Sequence, residues 1–244
     1  MRFLINSKKF NYISDILFRP LLVLSLIFLV LGLIFDFFLS PEDYQQGSTV
    51  RIMYVHVPSA WLSLMTYLIM TIYSIIALSF RMPFGFIVNT AVAPIGAIFT
   101  LICIISGSLW GKPMWGTWWV WDARLTSVLI LFFLYIGFIT LYHSFDDRSR
   151  GAKAASILAL VGAINLPIIK FSVDWWNTLH QPASVVKLSG PAIHTSMLTP
   201  LFVMAFAYIC FYFWILIIRL KATSNLTKIR AFEARQINIE REMD

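Results

Sequence analysis

The chain has 244 residues, of which 59% are hydrophobic and 13% are charged, and its formal net charge at pH 7 is +7. This composition excludes an ordinary soluble globular protein. The basic residues form short clusters between apolar runs rather than a stripe across polar surface. Their pattern therefore favours a membrane protein with positively charged loops and argues against nucleic-acid binding.

Six apolar runs predict an all-α, polytopic integral membrane protein with six transmembrane helices. We predict these spans at residues 20–39, 57–80, 86–109, 125–145, 154–169 and 197–218. The fifth is the weakest, because it is short and contains Asn165 and Pro167. Asp36 lies near the far end of the first span, where we expect water to reach it. The chain then divides into three parts: an N-terminal segment (1–19), a six-helix transmembrane domain (20–220) and a C-terminal tail (221–244), which we expect to be a solvated helix or disordered.

The positions of Lys and Arg predict the orientation of these spans, because cytoplasmic loops carry the excess of positive charge. With both termini on one side of the membrane, the segments on that side hold fourteen of the 19 Lys and Arg, and the opposite loops hold five. We therefore predict that both termini are cytoplasmic. The loop between the third and fourth spans is then extracytoplasmic.

That loop contains a dense cluster of aromatic residues. Residues 110–122 read WGKPMWGTWWVWD and hold five of the nine tryptophans. Pro113 and Gly116 break a helix early in the stretch, and we predict a helix from Trp115 onward. One face of that helix would carry Trp115, Trp118, Trp119 and Asp122. This face is either an interfacial tryptophan belt or a platform for a large planar ligand, and five tryptophans beside Gly, Pro and Asp favour the platform.

Two of the four histidines are candidate metal ligands. His56 precedes the second span and His180 follows the fifth, so they lie in separate loops on the side of the tryptophan stretch. A loop histidine is often only solvated. Two that flank an aromatic platform could instead close on a haem iron from opposite sides, since imidazole suits iron. His143 and His194 lie at helix ends and are interpreted as interfacial.

Two arginines on the same side are candidate partners for the propionates of a haem. Arg51 lies shortly before His56, and Arg124 lies shortly after Asp122. A guanidinium group can bind a carboxylate through two parallel hydrogen bonds. Alternatively, each arginine extends its charge toward the lipid headgroups. Position alone does not favour either interpretation.

Several blocks of the sequence resemble a known family. The segment WGTWWVWD (115–122) matches the WGxxWxWD signature of the haem-handling protein superfamily. Over roughly residues 16–220 the chain is similar to the haem exporter protein C family (CcmC) of bacterial cytochrome c maturation. The other blocks that carry this resemblance are YQQG (44–47), HVP (56–58), NLPII (165–169) and WWNTLHQ (175–181).

The resemblance implies a bacterial inner-membrane protein that binds haem b (iron protoporphyrin IX) at its extracytoplasmic face. His56 and His180 match the family's axial ligands of the haem iron. The residues that match the signature are Trp115, Gly116, Trp119, Trp121 and Asp122. We add Trp118, from the aromatic face, and Arg51 and Arg124 to the predicted haem-binding site.

The resemblance also implies partners. The protein would present haem to a membrane-anchored, CcmE-like haem chaperone that captures it covalently for c-type cytochromes. It would act beside CcmA-, CcmB- and CcmD-like subunits of an ABC transporter complex, as a haem-presenting component rather than a stand-alone enzyme.

Two other functions stay open at this stage. A bis-histidine haem oxidoreductase would pass electrons through the haem, although such proteins usually carry their ligands within spanning helices. A haem-conducting transporter would use helices broken near Asn89–Pro94 and Asn165–Pro167. The spans, however, contain few ionisable residues that could line a polar path.

Overall fold

The computed structural model describes residues 7–182, 184–185 and 190–243, and no β-strand occurs in these ranges. The α-helices are α1 (Ser7–Ile34), α2 (Met53–Ser79), α3 (Pro83–Trp115), α4 (Ala123–His143), α5 (Arg148–Gly162), α6 (Asn165–Trp175) and α7 (Thr195–Met243). A π-helical turn, Phe35–Leu39, prolongs α1. A 3-10 helix, Ser48–Ile52, leads into α2.

Six helical segments are long and apolar enough to cross a membrane, which confirms the predicted all-α, six-span class. The observed helices extend beyond most of the predicted spans. The first candidate span begins at Lys8 rather than at residue 20, and α7 continues through the tail as far as Met243. The apolar runs located the spans, and the flanking polar residues continue the same helices.

The fifth span, Arg148–Trp175, consists of two helices, α5 and α6. Pro167 is the third residue of α6, where its missing N–H removes none of the helix's own hydrogen bonds. The side chain of Asn165 is buried, and its Nδ2 donates to the carbonyl of Ser127 on α4 at 2.8 Å. The two residues that weakened the prediction therefore lie in the first turn of α6, and Asn165 attaches that turn to α4.

The centre of the bundle is the pair α2 and α3, which pack along their lengths, while α1 packs chiefly against α7. Small residues permit the close approaches. At Gly96 on α3, a Cβ atom would overlap the ring of Tyr135 on α4. The Tyr135 hydroxyl donates to the carbonyl of Ser63 on α2 at 2.7 Å. One fully buried tyrosine thus connects three helices.

The prediction that water reaches Asp36 is wrong. Asp36 lies in the π-helical turn and is only 5% exposed. Nearby, the hydroxyl groups of Tyr54 and Ser40 share a hydrogen bond of 2.5 Å. The carboxylate lies within electrostatic reach of Arg51. Asp36 therefore belongs to a buried polar cluster beside the start of α2.

Candidate functional site

The predicted site residues meet at the end of the bundle where α2 and α4 begin and α3 and α6 end. The prediction of a helix from Trp115 onward is wrong, because α3 ends at that residue. Gly116 adopts φ 74°, and its N–H donates to the carbonyl of Lys112 at 3.0 Å. This left-handed cap suits glycine and ends the helix. Residues 116–122 form a loop, so the tryptophans do not share one helical face.

Asp122 joins this loop to the segment that carries His180. Its backbone is extended, and its Oδ1 accepts a hydrogen bond from the N–H of Leu125 at 2.8 Å, which caps the N-terminus of α4. Its Oδ2 accepts from the N–H of Leu179 at 3.3 Å. The carboxylate therefore positions two elements of the site.

His56 lies in the first turn of α2 rather than in a loop. Its Nδ1 lies 3.1 Å from the hydroxyl oxygen of Ser106 on α3, and that hydroxyl donates its one proton to the carbonyl of Ile102 at 2.7 Å. The serine must therefore accept from His56, so Nδ1 carries the proton. This assignment, made from the hydrogen-bond network, leaves the lone pair on Nε2.

The environment of His180 likewise places the proton on Nδ1 and the lone pair on Nε2. Its Nδ1 lies 2.7 Å from the carbonyl oxygen of Gln181, which can only accept, so Nδ1 is again the protonated nitrogen. Partial burial lowers the pKa of His180, and the positive charge of Arg124 lowers it further. The ring is therefore neutral near pH 7, with its lone pair on Nε2.

The two imidazoles lie close together. Their ring centres are 6.4 Å apart, and their planes are inclined by 38°. Two imidazoles bound to one metal through bonds of about 2 Å would have centres roughly 6 Å apart. Among the described residues, no group of three or more His, Cys, Asp or Glu could hold a metal ion. The spacing of the two rings suits an iron whose other four ligands come from a macrocycle.

The tryptophans differ in exposure. Trp118 and Trp121 are exposed, at 53% and 76%. Trp119 is half-buried and meets Trp121 edge-to-face, with ring centres 5.7 Å apart. Trp115 turns back against Gly111 of its own helix. A second aromatic segment, residues 175–181, begins at the end of α6, and its Trp176 is half exposed. Aromatic surface from two segments therefore lies at this end of the molecule.

The two predicted arginines occupy different surroundings. Arg124, in the first turn of α4, lies within electrostatic reach of both His56 and His180. Arg51 instead lies near Asp36. In both arginines Nε is buried and has no hydrogen-bond partner among the described residues. The structure thus brings Arg124 to the histidine pair, where it also lies within electrostatic reach of Asp122 and Asp174, and places Arg51 near Asp36.

Sequence reasoning missed the residues of α3 that support His56. Besides Ser106, Trp110 meets the His56 ring edge-to-face at 5.8 Å, and its Nε1 donates to Oε1 of Gln46 at 2.9 Å. At Gly107 a Cβ atom would lie 2.9 Å from Cε1 of His56. Ser106 and Gly107 precede Trp110 by four and three residues along α3. This helical spacing was the signal that could have placed both beside Trp110 on one face.

The fold and the site define a polytopic membrane protein with a paired-histidine, tryptophan-rich site at one end of a six-span bundle. A family model described as "Heme exporter protein C" matches residues 1–235. The chain therefore belongs to the haem exporter protein C family (CcmC), which is involved in haem delivery for cytochrome c maturation. The resemblance seen in the sequence is confirmed.

Similar proteins occur in bacteria and in a plant. The Heme exporter protein C of Bradyrhizobium diazoefficiens is 57% identical over 184 residues, which cover 75% of this chain and 70% of that protein. The Heme exporter protein C of Haemophilus influenzae is 50% identical over 196 residues, 80% of each chain. A putative cytochrome c biosynthesis ccmC-like mitochondrial protein of Marchantia polymorpha is 54% identical over 163 residues, 67% of this chain and 68% of that protein.

The family and the six spans together identify a multi-pass protein of the inner membrane. Haem is the transported ligand of this family, and the family name places the chain in a Ccm system with other subunits.

Proposed function

We propose that this protein binds haem b between His56 and His180 at the extracytoplasmic face and presents it to a membrane-anchored, CcmE-like chaperone. The observation that carries the proposal is the histidine pair: both protons are held on Nδ1, both lone pairs lie on Nε2, and the ring centres are 6.4 Å apart. Bound haem would supply the iron and the ring that the chaperone captures covalently. The protein's own residues hold, orient and cap it.

The surroundings of the pair support presentation. Trp118, Trp121 and Trp176 leave aromatic surface exposed beside the histidines. Stacking between aromatic groups is worth about 0.5–1.5 kcal/mol per pair beyond burial of area, so this surface positions a planar ligand without being essential to hold it. Arg124 would pair with a propionate, since its buried Nε has no other hydrogen-bond partner among the described residues.

The distribution of charge supports the orientation. The histidine pair belongs to the segments predicted to be extracytoplasmic, which hold five of the 19 Lys and Arg in the sequence, whereas the segments predicted to be cytoplasmic hold the other fourteen. The site is therefore extracytoplasmic, where a membrane-anchored chaperone would meet it. CcmA-, CcmB- and CcmD-like subunits complete the proposed complex.

The experiment measures two quantities in the same cells: haem that copurifies with this protein, and haem attached covalently to a coexpressed chaperone. His56→Ala and His180→Ala should reduce both. His143→Ala and His194→Ala are matched controls that remove a histidine away from the pair, and both quantities should stay at the level of the unmodified protein. Equal losses in all four variants, or none in the first two, would contradict the proposal.

A further inference from the structure

We propose that the two histidines hold haem unequally: His56 is the fixed ligand, His180 is the exchangeable ligand, and Asp122 controls the exchange by tethering the segment that carries His180. This inference rests on the proposed function, because it assigns the order in which His180 and His56 leave the haem iron. It is carried by the different ways in which the structure supports the two rings.

His56 is supported by two packed helices. It belongs to α2, its Nδ1–H is held by Ser106 of α3, and its ring packs on the backbone at Gly107. The helices α2 and α3 pack along their lengths in the centre of the bundle. His56 is therefore held by packed helices, which are among the last elements to open locally.

His180 is supported by its own segment. It lies between α6 and α7 in residues 177–182, which are outside any helix. Its hydrogen bond to the carbonyl of Gln181 fixes the tautomer but moves with the segment. Leu179, Gln181 and Pro182 are exposed. Segments with few buried contacts open at low free-energy cost.

One hydrogen bond joins this segment to another element. Within the described part of the chain, the hydrogen bond of 3.3 Å from the N–H of Leu179 to Oδ2 of Asp122 is the one that joins residues 177–182 to a different helix or loop. It is longer than the 2.8 Å bond through which Oδ1 of Asp122 caps α4, and longer hydrogen bonds are weaker. The tether can therefore open while the cap, and with it α4, stays in place.

The asymmetry determines how haem would leave. If the Leu179 contact opened, His180 would withdraw with its segment and Nε2 would release the iron. A neutral ligand from the haem-accepting partner would take its place, no electron would be transferred, and the proton of His180 would stay on Nδ1 beside Gln181. His56 keeps the haem in position meanwhile. The His180 side of the haem site would open beside the exposed Trp176 and Leu179. The haem chaperone would approach from this side.

The test uses the full-length, haem-loaded ferric protein in detergent and saturating cyanide, which binds iron when an axial histidine has left. Asp122→Ser keeps a capping oxygen for α4, but its side chain is too short to reach Leu179. It should accelerate cyanide binding roughly tenfold, as expected for loss of one hydrogen bond to a charged group. Ser106→Ala, which removes a hydrogen bond from His56, should accelerate cyanide binding less than Asp122→Ser does, because His180 is still the first ligand to leave.

A second measurement needs no haem. Amide hydrogen exchange of the haem-free protein should rise in residues 177–182 of Asp122→Ser and stay unchanged in residues 103–107. Faster cyanide binding in Ser106→Ala than in Asp122→Ser, or unchanged exchange in residues 177–182, would overturn the order of ligand loss and leave the proposed function standing. A haem-loaded protein without a bis-histidine spectrum would overturn both.

Discussion

At the scale of single residues, the state of His180 couples the site to pH. Burial and Arg124 lower the pKa of His180, and only the neutral ring has a lone pair for iron. Haem should therefore stay bound at neutral pH and be lost as the pH falls through the lowered pKa, below the usual histidine value of about 6.5. Removing the positive charge with Arg124→Gln should raise the pKa of His180, so that loss begins at a higher pH.

The measurement is a pH titration of the haem absorption spectrum of the purified protein. Arg51→Gln is the matched control, because Arg51 lies near Asp36 and does not contribute to the pKa shift of His180. The pH at which Arg51→Gln loses half of its haem spectrum should match that of the unmodified protein. Equal shifts in the two variants would show that Arg124 acts through general charge rather than through its place beside the pair.

At the scale of helices, the contact between α3 and α4 depends on one glycine. A Cβ at Gly96 would overlap the buried ring of Tyr135, which also donates to Ser63. Overpacking of this kind costs about 1–3 kcal/mol, so Gly96→Ala should lower the thermal unfolding temperature in detergent. At Gly137 the added Cβ would meet only the tip of the Leu158 side chain, at 3.2 Å. Gly137→Ala should be neutral or slightly stabilising, and an equal loss in both variants would refute this role of Gly96.

The sequence predicted the spanning elements well because a run of apolar residues is itself the physical requirement for crossing a bilayer. It failed after Trp115, where spacing alone suggested a continued helix. The decisive fact there is local: Gly116 takes a left-handed conformation that ends α3. Its side-chain-free backbone permits that conformation, but the residue type alone does not require it.

The histidine pair shows another limit of the sequence. His56 and His180 are 124 positions apart, so no periodicity relates them, and their pairing was predicted from their places on either side of the tryptophan stretch and from the family resemblance. The supports of His56 were missed because Ser106 lies inside an apolar run that was interpreted only as a span. The double role of Asp122 depends on the closeness of Leu179, which only the folded chain reveals.

At the scale of the whole molecule, the asymmetry of Lys and Arg predicts the side of the membrane on which each loop lies. Both native cysteines, Cys103 and Cys210, are buried, which suits a labelling experiment. Single cysteines at Ser48 and Thr117 should react with an impermeant thiol reagent added to intact spheroplasts. Cysteines at Ser149 and Ser224 should react only after lysis. The reverse pattern would place the histidine pair in the cytoplasm and contradict the proposed presentation.

The central claim is that one haem iron is held by His56 and His180 together. Its most direct test is the absorption and electron paramagnetic resonance spectrum of the purified ferric protein. The account predicts a low-spin, bis-imidazole signal that is lost in both His56→Ala and His180→Ala and is partly restored when imidazole is added to either variant. A high-spin signal in the unmodified protein, or a low-spin signal that survives both substitutions, would contradict it.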